Sequence, residues 1–306
     1  MKFTIYQESR PGKRPTNEDR IAYSYSRDAL LMVVADGMGG HLHGEVAAQI
    51  AVQYITEAFQ REAKPSLKDP FLFLSGALTN AHHAILDYAA DRLLPEAPRT
   101  TCVACIVQDS IAYWAHAGDS RLYTIRGGRV IAQTRDHSRV ARMVEDGLIS
   151  AEDAIHHPAR NRIFSCLGGV TAPQIDFSKK TPLMSGDVLL LCTDGLWGPL
   201  PNDVIPRALA TGNVVQATPA LLNQAEARGG ENADNLSLIA IRWEDSYAED
   251  TLGSVSTKTM PIDSFTTQME AFAKARKGTQ PMPSLSDEDI ERAIQEINAA
   301  IRKYSK

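Results

Sequence analysis

Cysteine is scarce: the 306 residues include four, Cys102, Cys105, Cys166 and Cys192. Cys102 and Cys105 share a C-x-x-C spacing, but no second pair follows at the separation of a zinc ribbon. All four lie in apolar or strand-like settings, which points to reduced core thiols in a cytoplasmic protein. A surplus of positive charge is also missing. Lys and Arg number 32 against 37 Asp and Glu, a net charge of −5, which argues against a general nucleic-acid binder. No window approaches the roughly 18–20 apolar residues of a membrane span. The opening MKFTIYQESRPGKR turns polar too soon for a secretory signal. Neither the phosphate loop G-x-x-x-x-G-K-[ST] nor the calcium loop D-x-[DN]-x-[DN]-G occurs.

What is present is material for a substantial core, with 43% hydrophobic and 23% charged residues. After NEDR (17–20), IAYSYS alternates like a strand, and LLMVVA (30–35) reads as its hairpin partner. Ala47, Ile50, Ala51, Tyr54, Ile55 and Ala58 predict a helix over 44–59. Leu74, Leu78, Ala81, Ile85 and Tyr88 predict a second, after the loop REAKPSLKDP. TTCVACIVQ, IAYWAHA, RLYTIR and RVIAQT, punctuated by DS, GDS and GG, predict an antiparallel meander. Residues 136–162 change texture to two short helices, the second opened by a capping box from Ser150 to Asp153. Strands are expected again at IFSCL, APQIDF and VLLLCT. A helix with Thr218 as N-cap, Pro219 at its first position and Gly229 near its end precedes the last strand, LSLIAIRW.

This order is not βαβ alternation. It predicts an α+β fold, a four-layer αββα sandwich of two antiparallel sheets flanked by helix pairs. The domain closes near Trp243. Residues 244–285 read as a polar linker with room for a short helix. Over 286–305, Ser286 and Asp289 form a capping box, and Ile290, Ile294, Ile297, Ile301 and Tyr304 form an apolar seam. That seam fits a helix docked on its own domain, and equally one that meets a partner or a second copy.

Acids recur at strand ends. Asp36 ends LLMVVA, Asp119 follows IAYWAHAG, Asp194 ends VLLLCT, Asp234 precedes LSLIAI, and Glu18 and Asp19 precede IAYSYS. A single Asp-Gly is an ordinary turn dipeptide. The repetition after apolar strands is the signal, because antiparallel pairing puts one strand's end beside the next strand's start. Two like charges about 4 Å apart repel by about 4 kcal/mol at an effective dielectric near 20. Such a cluster needs protons or cations, and all-oxygen ligands suit hard ions such as Mg²⁺ and Mn²⁺.

RPTNEDR, VVADGMGGH, AGDSRLY, LCTDGLW and ADNLSLIAI occur in this order. Together they resemble the type 2C metal-dependent serine/threonine protein phosphatases (the PPM family), above all the bacterial members, over residues 1–243. The resemblance implies the same sandwich, a flap at 136–162, and a centre of two Mn²⁺ or Mg²⁺ ions with a third, weaker site. Asp36 matches the carboxylate bridging the two ions, and Gly37 the backbone carbonyl on one of them. Asp194 and Asp234 match ligands of the other ion. Glu18 matches an acid acting through metal-bound water, Asp19 an acid behind the ligands, and Asp119 the acid that holds the third ion with Asp194. Arg14 matches the phosphate-binding arginine. The implied reaction is attack of a metal-bridging water on phosphoserine or phosphothreonine in substrates of serine/threonine kinases, with no nucleic-acid or membrane partner. One departure concerns the proton for the leaving oxygen: Met38 stands where some members carry a histidine. Metal-bound water can serve instead, as can a histidine elsewhere; of His41, His43, His137, His156 and His157, His137 in RDHS comes nearest to fitting, and no general acid is assigned. Two further readings are a low-turnover interaction module working through the C-terminal helices, and a phosphatase for small phosphorylated metabolites.

Overall fold

The computed structural model describes residues 1–38, 43–160, 162–210 and 213–245. Apart from Glu244 and Asp245, the expected linker and C-terminal helix lie outside these residues. One sheet contains β2 (Arg20–Tyr25), β3 (Ala29–Ala35), β4 (Cys102–Gln108), β5 (Ile111–Ala117) and β8 (Asp176–Phe177) in that order, with β9 (Thr181–Pro182) also on β5. The second runs β1 (Phe3–Arg10), β11 (Leu236–Trp243), β10 (Val188–Cys192), β6 (Arg121–Arg126), β7 (Arg129–Gln133). Every pairing is antiparallel.

The inner faces of the two sheets meet through Leu30, Met32, Val34, Leu189, Ile239 and Trp243, among others. Burying each large apolar side chain contributes about 1.5–3 kcal/mol, so this layer is a main stabilising element of the sandwich. On the outer side of the first sheet, α1 (Gly44–Glu62) packs on β2 and β3, and α2 (Pro70–Asp91) packs beside α1. Covered on both faces, β3 is buried at every residue, which is why it reads as an unbroken apolar run. Asp69 caps α2 by accepting from the Phe71 and Leu72 N–H groups, with Pro70 at the first helical position. On the second sheet, α5 (Asp194–Trp197), α6 (Val204–Ala208) and α7 (Val214–Gly229) close a separate apolar layer. Among the described residues no helix is long and apolar enough to cross a membrane.

One strand is added and three local expectations are corrected. Phe3–Arg10 is a strand, held by full antiparallel register with β11. The meander divides: β4 and β5 belong to the first sheet, β6 and β7 to the second, so the turn at Gly118–Ser120 carries the chain between layers. Gly118, at φ +110, lets it do so. IFSCL forms no strand and APQIDF only the two residues of β8. Finally, α7 starts at Val214, capped by Asn213 accepting the Gln216 N–H, so Pro219 lies inside the helix. The buried Val214 anchors that extra turn. In the 136–162 segment, α3 (Arg139–Glu145) is capped by Ser138, and α4 (Ala151–His156) carries the expected Ser150–Asp153 box. Alternation along β4 puts Cys102 and Cys105 on opposite faces, so they are not a ligand pair. Burial pushes the Cys102 thiol up to about 12 and the Cys105 thiol further.

Candidate metal centre

Register gathers the acids. In the first sheet Arg20 pairs with Ala35, Val34 with Val103 and Cys102 with Ala117. Extending those rows past the strand ends aligns Asp19, Asp36, Thr101 and Gly118 at one end. In the second sheet Cys192 faces both Arg121 and Leu238. Asp194, just past β10, therefore lies beside Asp119, which precedes β6, and near Asp234, which precedes β11. The crossing turn after β5 places Asp119 where the two rows meet.

Hydrogen bonds fix these loops. The Asp36 carbonyl accepts from the Thr101 N–H at 2.9 Å and from Thr100 Oγ1 at 2.8 Å. Asp19, 2% exposed, accepts from Thr193 Oγ1 at 2.9 Å. The Asn235 side chain accepts the Glu18 N–H at 2.8 Å and donates to the Pro11 and Thr16 carbonyls, tying residues 11–18 to β11. Trp197 Nε1 donates to the Asp119 carbonyl at 3.1 Å. Two glycines permit backbone approaches that no other residue allows. A Cβ on Gly37 would lie 2.5 Å from the Gly44 carbonyl oxygen, and one on Gly195 2.0 Å from the Asn235 carbonyl oxygen.

The electrostatics match a cation site. Burial first, and then the neighbouring carboxylates, hold Asp36 and Asp119 well above the usual carboxylate range. Burial and Asp234 push Asp194 up to about 6, offset in part by a side-chain hydrogen bond with Asp36. Asp19 rises to about 7, chiefly by burial. Glu18 is raised by burial and by Glu45 in the first turn of α1. Arg14, on the rim, places its guanidinium fork on Asp234, Nε to Oδ1 at 2.9 Å and Nη2 to Oδ2 at 2.8 Å. Arg20 spends Nη1 on the Asn17 and Asp19 carbonyls. Two buried carboxylate oxygens, Glu18 Oε2 and Asp19 Oδ1, have no hydrogen-bond partner among the described residues. Orphaned oxygens among mutually repelling acids, with no sulfur or imidazole in the set, fit hard divalent cations.

All eight residues singled out from the sequence, Arg14, Glu18, Asp19, Asp36, Gly37, Asp119, Asp194 and Asp234, come to this end. Among the described residues, the candidate histidines supply no proton donor. His137, which comes nearest to fitting from the sequence, is 1% exposed and stacked on His116, which seals it away from the acids. His157 accepts the Ala159 N–H within its own turn. His43 caps α1 in the left-handed region, at φ 67, and His41 lies outside the described residues. Sequence reasoning missed Asn235, Thr100, Thr101, Thr193 and Gly195. Each stands in or beside an acid motif, but its part depends on a partner distant in the chain.

Two facing antiparallel sheets with a cluster of buried acids at one end fit the class of metal-dependent αββα hydrolases. Residues 8–233 match the family described as Protein phosphatase 2C, and the chain belongs to that family. It is 30% identical over 231 residues to the serine/threonine phosphatase stp of Listeria innocua, covering 74% of this chain and 90% of the relative. The structure of the S. agalactiae serine/threonine phosphatase superposes with a TM-score of 0.72 at 26% identity, over 79% of this chain and 100% of that one. The catalytic domain of the serine/threonine protein phosphatase PstP in complex with two manganese ions gives 0.68 at 28% identity, over 79% and 99%.

Proposed function

We propose that Asp36, the Gly37 carbonyl, Asp194 and Asp234 hold two Mn²⁺ or Mg²⁺ ions, and that Asp119 with Asp194 holds a third. The chain is a metal-dependent protein serine/threonine phosphatase, acting on phosphorylated proteins. The observation that carries the site assignment is the convergence of these acids around two orphaned, buried carboxylate oxygens. When bound, the ions supply charge neutralisation and Lewis acidity to an in-line displacement at phosphorus. The chain's own groups do the rest. Glu18 and Asp19 orient and hold protons at the base of the cleft. Arg14 offers from the rim the planar fork that now grips Asp234, and that fork matches two phosphate oxygens equally well. We take residues 1–243 as the catalytic domain, ending with β11. Four free thiols support a cytoplasmic setting.

Phosphate release from a phosphothreonine peptide is expected with Mn²⁺ and is expected to vanish in EDTA; no Mn²⁺-dependent release would refute the function. Faster release from sugar phosphates than from phosphopeptides would refute the protein substrate. Arg14→Lys keeps the charge but loses the fork, so KM for the phosphopeptide should rise about 10- to 100-fold, the worth of a charged hydrogen-bond pair. Gly195→Ala forces the Asp194 turn away from Asn235. A displacement near 1 Å is expected to cost about 10²-fold in kcat. Steady-state kinetics at saturating Mn²⁺ check both.

A further inference from the structure

The arginines nearest the acids are committed. Arg14 holds Asp234, Arg20 holds the Asn17 and Asp19 carbonyls, and Arg121 holds Asp136 through Nε and Nη2 at 2.9 and 2.8 Å. Arg99 is not. Its Nε is buried and has no hydrogen-bond partner among the described residues, and its side chain joins no ion pair among them. A buried N–H without an acceptor costs free energy, and a ligand that supplies the acceptor recovers it.

The backbone fixes where Arg99 stands. Just before β4, the Thr101 N–H donates to the Asp36 carbonyl, Thr100 bridges Gly37, and the Arg99 carbonyl accepts the Met38 N–H at 3.0 Å. Arg99 is therefore two rows beyond Asp36, past the acid end of the first sheet. On its other side Thr100 bridges Leu167, with N–H donors in both directions at 3.2 and 2.9 Å. The side chain lies toward Cys166, the neighbour of Leu167: burial raises that thiol and the Arg99 charge pulls it back. The acids are eased instead by Arg14, Arg20 and Arg121. Arg99 is thus a half-buried, unpaired cation on the lip of the acid cluster, whereas Arg14 stands on the side of the second sheet.

We propose that Arg99 is a specificity-determining residue that binds a carboxylate of the phosphoprotein substrate, next to the phosphorylated serine or threonine. This rests on the reading of the acid cluster as a phosphatase centre. With the phosphoryl group drawn to the acids' metals and to Arg14, an extended substrate leaves its flanking residues at the lip, each step along it being about 3.3 Å. An acidic flank presents the planar carboxylate that a guanidinium grips with two parallel hydrogen bonds. A basic flank meets the same guanidinium with like charge.

The test is steady-state kinetics of the full chain in Mn²⁺ on phosphothreonine peptides flanked by Glu or by Lys, and on p-nitrophenyl phosphate, which has no flank. The unaltered chain is expected to favour the Glu peptide by at least about tenfold in kcat/KM, through KM, the lower end of what hydrogen bonds to charged groups contribute. Arg99→Met should abolish that preference and Arg99→Glu should reverse it. In both variants the Glu peptide should lose more than p-nitrophenyl phosphate by at least about fivefold. Equal use of the two peptides by the unaltered chain, a Glu preference kept by Arg99→Glu, or losses as large on p-nitrophenyl phosphate as on the Glu peptide overturn the proposal. Should the variants not fold, NMR of the unaltered chain in Mg²⁺ decides. The Arg99 Nε–H resonance should move with a non-hydrolysable phosphonate analogue of the Glu peptide and stay in place with the Gln counterpart; an equal response to both overturns the proposal. If no substrate gives Mn²⁺-dependent release, the phosphatase reading falls and the proposal with it. Release without a flank preference removes the Arg99 assignment alone.

Discussion

Replacing Asp36 by asparagine is expected to lower Mn²⁺-dependent phosphate release by about 10³-fold while leaving the metal-free protein at least as stable. Losing the central ligand removes Lewis-acid stabilisation worth several kcal/mol, and about 4 kcal/mol is about 10³-fold in rate. The stability change has the opposite sign. Asp36 is the acid on which Asp19, Asp194, Asp119 and Asp234 all act unfavourably, on top of its burial. A neutral isostere relieves that repulsion and can still share a hydrogen bond with Asp194. Kinetics in Mn²⁺ and urea unfolding in EDTA, run on the same protein at pH 8, measure the two effects. Retained activity would sink the metal assignment. Lower stability in EDTA would show that Asp36 serves mainly as a structural acid.

The second large effect is a fall in stability of the metal-stripped protein as pH rises. Asp19 and Asp194, near 7 and 6 in the folded chain, keep protons that the unfolded chain has released above about pH 4. More protons in the folded state means that the unfolding free energy decreases with pH across that window. The decline between about pH 4 and pH 7 should be on the order of 6 kcal/mol, and Asp36 and Asp119, raised further, carry it to higher pH. His82 and His116, lowered chiefly by burial, act in the opposite direction below the usual imidazole range. An Asp19→Asn variant isolates the carboxylate part, because its profile should be flatter. Mn²⁺ at about 100 times its Kd should restore about 2.7 kcal/mol at pH 8 and less at pH 5.5, where protons compete. Urea titrations in EDTA from pH 5 to 8.5 check the slope. A profile that rises through pH 7 would contradict the buried, mutually repelling cluster.

Much of this was legible before any coordinates. Helices α1 and α2 follow from apolar spacing, and their buried residues include every position that the period selected except Tyr88, which is half-buried. LLMVVA reads as a doubly covered strand because nothing polar interrupts it. The acids could be enumerated because each follows or precedes such a strand. The split meander was not legible. Strand periodicity fixes which face a residue takes but not which sheet its strand joins, and Gly118 turns the chain between layers only because Thr101 and His137 receive it. The start of α7 was misplaced because Pro219 is a strong local signal, while the burial of Val214 is a tertiary fact. The burial of His137 was hidden for a related reason: RDHS shows a histidine near the cleft, not one sealed between His116 and Phe164.

By itself, then, the sequence determined the αββα architecture, the end of each strand that carries an acid, and the all-oxygen character of the acid cluster. These depend on residue type and period, which are local. Only the tertiary structure decided which acids repel one another, which carboxylate oxygens lack partners among the described residues, where Arg14 places its fork, and which rings seal His137. Those are pair properties of residues as much as 220 positions apart, as with Arg14 and Asp234. They exist only once two sheets have packed and registered their ends against each other.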